Sequence, residues 1–167
     1  VKTLNSHGIF TIGDIAKSDK DWIAYALGKN GISLREHANG NDSSPVMPCD
    51  YIRPVQSISR GITTAADLTE PHQVWCVILE LSQVISHQLR EHGKKAGSVA
   101  IQIKNSSLIT KQAQAAIERP TQSPMAIAKA AFDIFNSTYG WENNVRSVTV
   151  YAISLEDKNT PFQTDIF

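Results

Sequence analysis

The sequence predicts an α+β chain. A small all-helical helix-hairpin-helix unit comes first, then a β-α-β-β-α-β domain whose four-stranded antiparallel sheet carries two helices on one face. Three observations carry this expectation. The stretch Leu4 to Ile15 reads as two short helices around a Gly-Ile turn. Pro45, Pro48 and Pro54 lie within ten residues, which excludes a helix there and divides the chain. Beyond them the apolar residues follow first a strand period, then a helical one, in the order just given.

In the first unit, Gly8 supplies the left-handed turn that ends a helix, and Thr11 and Asp14 form a capping-box pair ahead of Ile12, Ile15 and Ala16. A loop between two such helices is expected to present unpaired backbone N–H groups, with the positive end of a helix dipole behind them. The same twelve residues also fit an ordinary helical hairpin. Trp22 to Leu27 suggests another short helix, broken at Gly28 and Gly31. Ser33 and Glu36 make a second capping box, opening a helix that stops at Asn39-Gly40.

The second unit opens on a Ser-, Ile- and Thr-rich strand from Gln56 to Ala65. Glu70-Pro71 starts a helix of about twenty residues, roughly 30 Å long. Its apolar Val74, Val77, Ile78, Leu81, Val84 and Ile85 fall at helical spacing, and Gly93 ends it. Ser98 to Lys104 alternates, with Val99, Ile101 and Ile103 on one face and Ser98, Gln102 and Lys104 on the other. A turn over Asn105 to Leu108 leads to a weaker strand, Thr110 to Arg119. Ser123-Pro124 then caps a helix carrying Phe132 and Phe135, and Val145 to Leu155 is the last strand. One sheet face is left open. Ser57, Ser59, Gln102, Lys104, Gln112 and Gln114 are expected on it, groups suited to lying along a phosphate backbone.

Composition narrows the class. The chain has 167 residues, 41% hydrophobic and 19% charged, with no apolar run approaching a membrane span. Cys49 and Cys76 have no CxxC spacing and are expected as reduced thiols in a cytoplasmic protein. The net charge of zero hides an asymmetry: residues 51–119 carry eight Lys/Arg against five Asp/Glu, whereas both flanking segments are net acidic. Non-specific affinity for nucleic acid should therefore be weak and salt-dependent. The five histidines lack ligand spacing, and Asp14, Asp19 and Asp21 read as helix-start and surface residues. Trp75 and Cys76 are expected in the core. Lys94 and Lys95 read either as a solvated helix end or as phosphate contacts.

The hairpin phrase, the phrase Leu34-Arg35-Glu36-His37-Ala38-Asn39-Gly40-Asn41-Asp42 and the strand Gln56-Ser57-Ile58-Ser59-Arg60 together resemble the thumb and little finger of a Y-family DNA polymerase, the translesion class. Bacterial enzymes of the polymerase IV or polymerase V catalytic-subunit type look nearest. The resemblance implies a thumb-like unit over 1–46, a linker over 47–56, a little finger over 57–157 and a tail over 158–167. It implies that the fragment grips the template-primer backbone during lesion bypass, in DNA repair and the SOS response. Carried over by position, Gly8, Ile9, Thr11 and Gly13 would offer N–H groups to phosphate, and Ser57, Ser59, Arg60, Lys104 and Lys111 would meet the other backbone. Phosphoryl transfer in this class needs Mg²⁺ held by clustered carboxylates, which the family places in a palm ahead of Val1. The chain is therefore expected to be the C-terminal part of a polymerase, inactive alone and without a cofactor of its own. At the other end, Gln163, Asp165, Ile166 and Phe167 resemble the bacterial sliding-clamp-binding pentapeptide; the same residues also fit a polar tail with chance hydrophobics. A monomer without membrane attachment is expected.

Two other readings remain in view. A stand-alone nucleic-acid-binding module would stack bases on aromatic residues of its central strands, and neither Ser98 to Lys104 nor Thr110 to Arg119 contains any. A ferredoxin-like ligand-binding regulatory domain gives no reason for the hairpin or the tail.

Overall fold

The structure is a computed structural model that describes residues 2–161, so Gln163, Asp165, Ile166 and Phe167 lie outside the described residues. The chain divides into two compact units, Val1–Ile52 and Arg53–Phe167.

The first unit contains α1 (Lys2–Asn5), α2 (Ile12–Lys17) and α3 (Lys20–Ala38). Thr11 Oγ1 accepts the Asp14 N–H at 3.1 Å, and Asp14 Oδ2 accepts the Thr11 N–H at 2.9 Å. The capping box read from the sequence therefore starts α2. Asp19 caps α3 by accepting the Trp22 N–H at 2.8 Å. A kink at Gly28 (φ 64°, ψ −150°) interrupts α3, as the sequence suggested. Gly31 behaves otherwise. The helix runs through it, and no new start forms at Ser33-Glu36. Gly31 is a packing residue, because a Cβ there would sit 2.7 Å from the Ile23 carbonyl and from Leu27 Cβ. The end of α3 is tied back to α2 by Arg35 Nε, which donates to the Ser18 carbonyl at 2.9 Å, and by Asn39 Nδ2, which donates to the Ala16 carbonyl at 3.2 Å.

The second unit follows in the order β1 (Ile58–Leu68), α4 (Pro71–Glu91), β2 (Lys94–Asn105), β3 (Thr110–Thr121), α5 (Pro124–Thr138) and β4 (Val145–Asp157). The sheet order is β1-β4-β2-β3, with every neighbour antiparallel. Each β-α-β crossover thus steps over one strand: the first straddles β4, the second straddles β2. That puts β4 and β2 in the centre and leaves β1 and β3 as edges. Val99, Ile101, Val148, Val150 and Ala152 on the central strands are sealed against Val74, Ile78, Ile85 and Leu89 of α4 and Ile127 and Phe135 of α5. Phe135 anchors an aromatic cluster, with ring centroids 5.2 Å from Tyr139 and 5.6 Å from Trp141. Such pairs add about 0.5–1.5 kcal/mol each beyond area burial.

Several details depart from the sequence reading. Val84 is 43% exposed, since it lies at the margin of the apolar stripe of α4. Cys76 is exposed, with Sγ 3.9 Å from His72 Nε2 one turn earlier, while Trp75 is half-buried against Phe132. The turn at Gly93 leads directly into β2, so Lys94 and Lys95 belong to a strand rather than a helix end. Lys94 Nζ pairs with Asp157 at 3.2 Å. Strand β1 begins at Ile58, where pairing with Ala152 starts, and leaves Ser57 just ahead of it.

Candidate nucleic-acid interface

In the first unit the hairpin places Gly8, Thr11 and Gly13 on the surface, with Phe10 and Ile12 about 70% exposed beside them. Ile9 points inward. The expectation of unpaired amides needs correction for three of the four residues. The Gly8 N–H donates to the Asn5 carbonyl at 3.1 Å, the Ile9 N–H to the Leu4 carbonyl at 3.1 Å, and the Thr11 N–H to the Asp14 carboxylate. A loop this tight satisfies its own donors. Only the first-turn amides of α2, on Ile12 and Gly13, lack a partner among the described residues. The Asp14 carboxyl is held below its ordinary range by hydrogen bonds from the Phe10 and then the Thr11 amides. A phosphate approaching this loop therefore meets a carboxylate that is already ionised, and Lys17 lines the same cleft.

In the second unit, strand register assigns each side chain to a face. Three rows cross the open face: Ser59, Tyr151, Ala100 and Gln114; then Gly61, Thr149, Gln102 and Gln112; then Thr63, Ser147, Lys104 and Thr110. Almost every group is small or a neutral hydrogen-bonding side chain, and Lys104 is the cation among them. Gly61 is required in its row, because a Cβ there would strike the Thr149 hydroxyl. Arg60 and Lys111 pair with residues of the other parity, opposite Val150 and Ile103, and so start from the helix side of the sheet. Being on edge strands, both remain exposed. Lys111 Nζ lies 3.8 Å from Glu142 and 6.0 Å from the Tyr139 ring centroid. Ser57, Ser59 and Arg60 come together in a polar cleft at the β1 edge, with Gln88 of α4 and His92 just after its end behind them. The five site residues expected on this unit thus divide between one face, one edge and one opposite rim.

Tyr151 was missed by sequence reasoning. It sits on a central strand, facing out, and its hydroxyl donates to Gln102 Oε1 at 3.0 Å. The sequence reading took Ser98 to Lys104 and Thr110 to Arg119 as the central strands; the second is the edge strand β3, and Val145 to Leu155 is central instead, so an outward-facing aromatic does stand on a central strand. Among the described residues no group of three or more His, Cys, Asp or Glu side chains is arranged to hold a metal, and no helix is long and apolar enough to cross a membrane.

The model of the impB/mucB/samB family C-terminal domain matches residues 55–166. The chain belongs to that family. DNA polymerase IV of Acetivibrio thermocellus is 36% identical over 166 residues, covering 99% of this chain and 42% of that protein. DNA polymerase IV of Alkaliphilus oremlandii is 32% identical over 166 residues, covering 98% and 41%. The chain therefore spans about two fifths of the length of the curated relatives it matches. A solved Y-family DNA polymerase chimera, Dbh-Dpo4(243-245)-Dbh, shares the fold at a TM-score of 0.77 and 16% identity, over 93% of this chain and 44% of that one. Residues 55–166 correspond to the C-terminal domain of the impB/mucB/samB family, a stretch that includes the first-strand phrase Gln56 to Arg60.

Proposed function

We propose that this chain is the DNA-gripping part of a Y-family polymerase, holding the template-primer duplex by its backbone while a lesion is bypassed. The observation that carries the reading is the open face of the sheet: three rows of small and neutral polar side chains around Lys104, on the side of the sheet opposite the core formed with α4 and α5. Such a surface offers hydrogen bonds to phosphate oxygens without selecting a base sequence. The free amides of Ile12 and Gly13 supply a second, smaller contact, helped by Lys17. Ser57, Ser59 and Arg60 extend the sheet contact round the β1 edge. Set beside a family match over residues 55–166, this favours backbone gripping over a base-stacking module or a small-molecule regulatory domain.

Nucleotidyl transfer by the whole protein is part of the same proposal. The residues present do not fit the Mg²⁺ that chemistry uses, since no carboxylate cluster exists among the described residues. No step of the grip runs through a metal. Recruitment by a bacterial sliding clamp through Gln163, Asp165, Ile166 and Phe167, a role in the SOS response, a monomeric state and work at the nucleoid in the cytoplasm complete the reading.

The test is a salt titration of binding to a primer-template duplex. Lys104→Ala should weaken binding and lower the salt slope by about one counterion. Lys111→Ala, which removes a cation already paired with Glu142 on the other side of the sheet, should leave the slope unchanged. A full slope in Lys104→Ala would place the duplex elsewhere.

A further inference from the structure

The three rows that cross all four strands carry one cation, Lys104, among the described residues, so an anion there is held mostly through neutral donors, and a neutral amide is useful only if it is turned the right way. Gln102 occupies the middle row of that face, beside Lys104, on a central strand. Its carbonyl Oε1 accepts the Tyr151 hydroxyl at 3.0 Å. Its Nε2 has no partner among the described residues, and it is not one of the buried orphan atoms. The two ends of a glutamine amide carry opposite character: the oxygen repels a phosphate and the NH₂ attracts one. A Tyr O–H can donate to the oxygen and so pins that end.

We infer that Tyr151 is a positioning residue, whose hydroxyl holds the Gln102 amide with its NH₂ available as a neutral donor to a nucleic-acid phosphate. The inference rests on the proposed sheet-face grip and deepens it. A free amide would turn over between two orientations, one of them repulsive. Tyr151 removes that freedom without adding charge, so its contribution is independent of salt. A second consequence concerns selectivity. The aromatic ring, at the centre of an open face, is engaged by its hydroxyl in the sheet, and its role is to orient a neighbour rather than to stack on a base.

The experiment measures binding of the 167-residue chain to a fluorescent primer-template duplex across a salt series. Tyr151→Phe and Gln102→Ala should each weaken binding by about three- to tenfold, the range expected for one hydrogen bond. The double variant should lose no more than either single one. Salt slopes and melting temperatures should match the parent chain. Gln102→Lys offers a donor that needs no orienting, so Tyr151→Phe added to it should have no further effect. Additive losses would overturn the inference. So would full affinity in Tyr151→Phe with a loss in Tyr151→Ala, which is the signature of stacking. If Lys104→Ala keeps the full salt slope, the sheet-face grip itself fails; if the slope falls while Tyr151→Phe binds normally, only the positioning role fails.

Discussion

Asp14 is the clearest case of a single residue whose chemistry can be followed from sequence to measurement. Its spacing from Thr11 identified a capping box, and the carboxylate accepts the Phe10 and Thr11 amides at 3.1 and 2.9 Å. Those bonds favour the ionised form and lower its pKa. A carboxyl whose folded pKa is depressed adds stability that is complete above its unfolded value and disappears as pH falls through the folded one. The stability of the first unit should therefore decline on acidification below the ordinary Asp range. Asp14→Asn should flatten that decline while lowering stability at neutral pH. Thermal melts of the unit at a series of pH values check both, and an unchanged acid limb would show that the cap carries no linkage. What the sequence could not disclose is that the same carboxylate takes the Phe10 and Thr11 amides while the Asn5 and Leu4 carbonyls take those of Gly8 and Ile9. Hydrogen-bond acceptors three residues apart are legible; which donors they take is decided by loop geometry, and here it removes Gly8, Ile9 and Thr11 from the set free to meet a phosphate.

At the scale of elements, strand pairing decides which side chains act together. The crossing of β1 and β4 depends on Gly61, because any Cβ there meets Thr149 across the ladder. Gly61→Ala should cost about 1–3 kcal/mol, the usual range for overpacking. Thr149→Ala should recover most of that loss, giving a coupling in a double-mutant cycle that denaturant unfolding can read. Additivity of the two changes would mean the strands shift apart instead. In the second unit the spans of α4 and α5, the two caps at Glu70 and Ser123 and the alternation of β2 were legible, since each depends on residues within one element. Strand order was not. Interleaved crossovers can run β4-β1-β3-β2 or β1-β4-β2-β3 from the same β-α-β-β-α-β string, and only the second puts β4 in the centre. That hid Tyr151. The division of the basic residues was legible: with Ser59 and Gln112 on the open face, alternation along each strand puts Arg60 and Lys111 on the other.

For the molecule as a whole, the proposed sheet-face grip is weak by itself: its three full rows hold one cation among neutral donors, and Lys95 on the same side stands opposite Glu156, in a chain of zero net charge. A polymerase holding DNA so loosely gains most from a second attachment that keeps it near the primer end, and the tail residues Gln163, Asp165, Ile166 and Phe167, which lie outside the described residues, supply a candidate. In the proposed docking, Ile166 and Phe167 fill an apolar pocket of the clamp and Gln163 adds a directional hydrogen bond. A peptide this short that orders on binding should reach an affinity on the order of micromolar, about −8 kcal/mol. Tethering then converts DNA contact into an intramolecular event, so modest affinities on each side combine into stable residence. A peptide of residues 158–167 titrated into purified clamp should bind in that range. Ile166→Ala with Phe167→Ala should abolish clamp binding in the whole chain and leave duplex affinity unchanged. Loss of both affinities together would tie the tail to the DNA grip, and absence of peptide binding at high micromolar concentration would remove the clamp from the proposal.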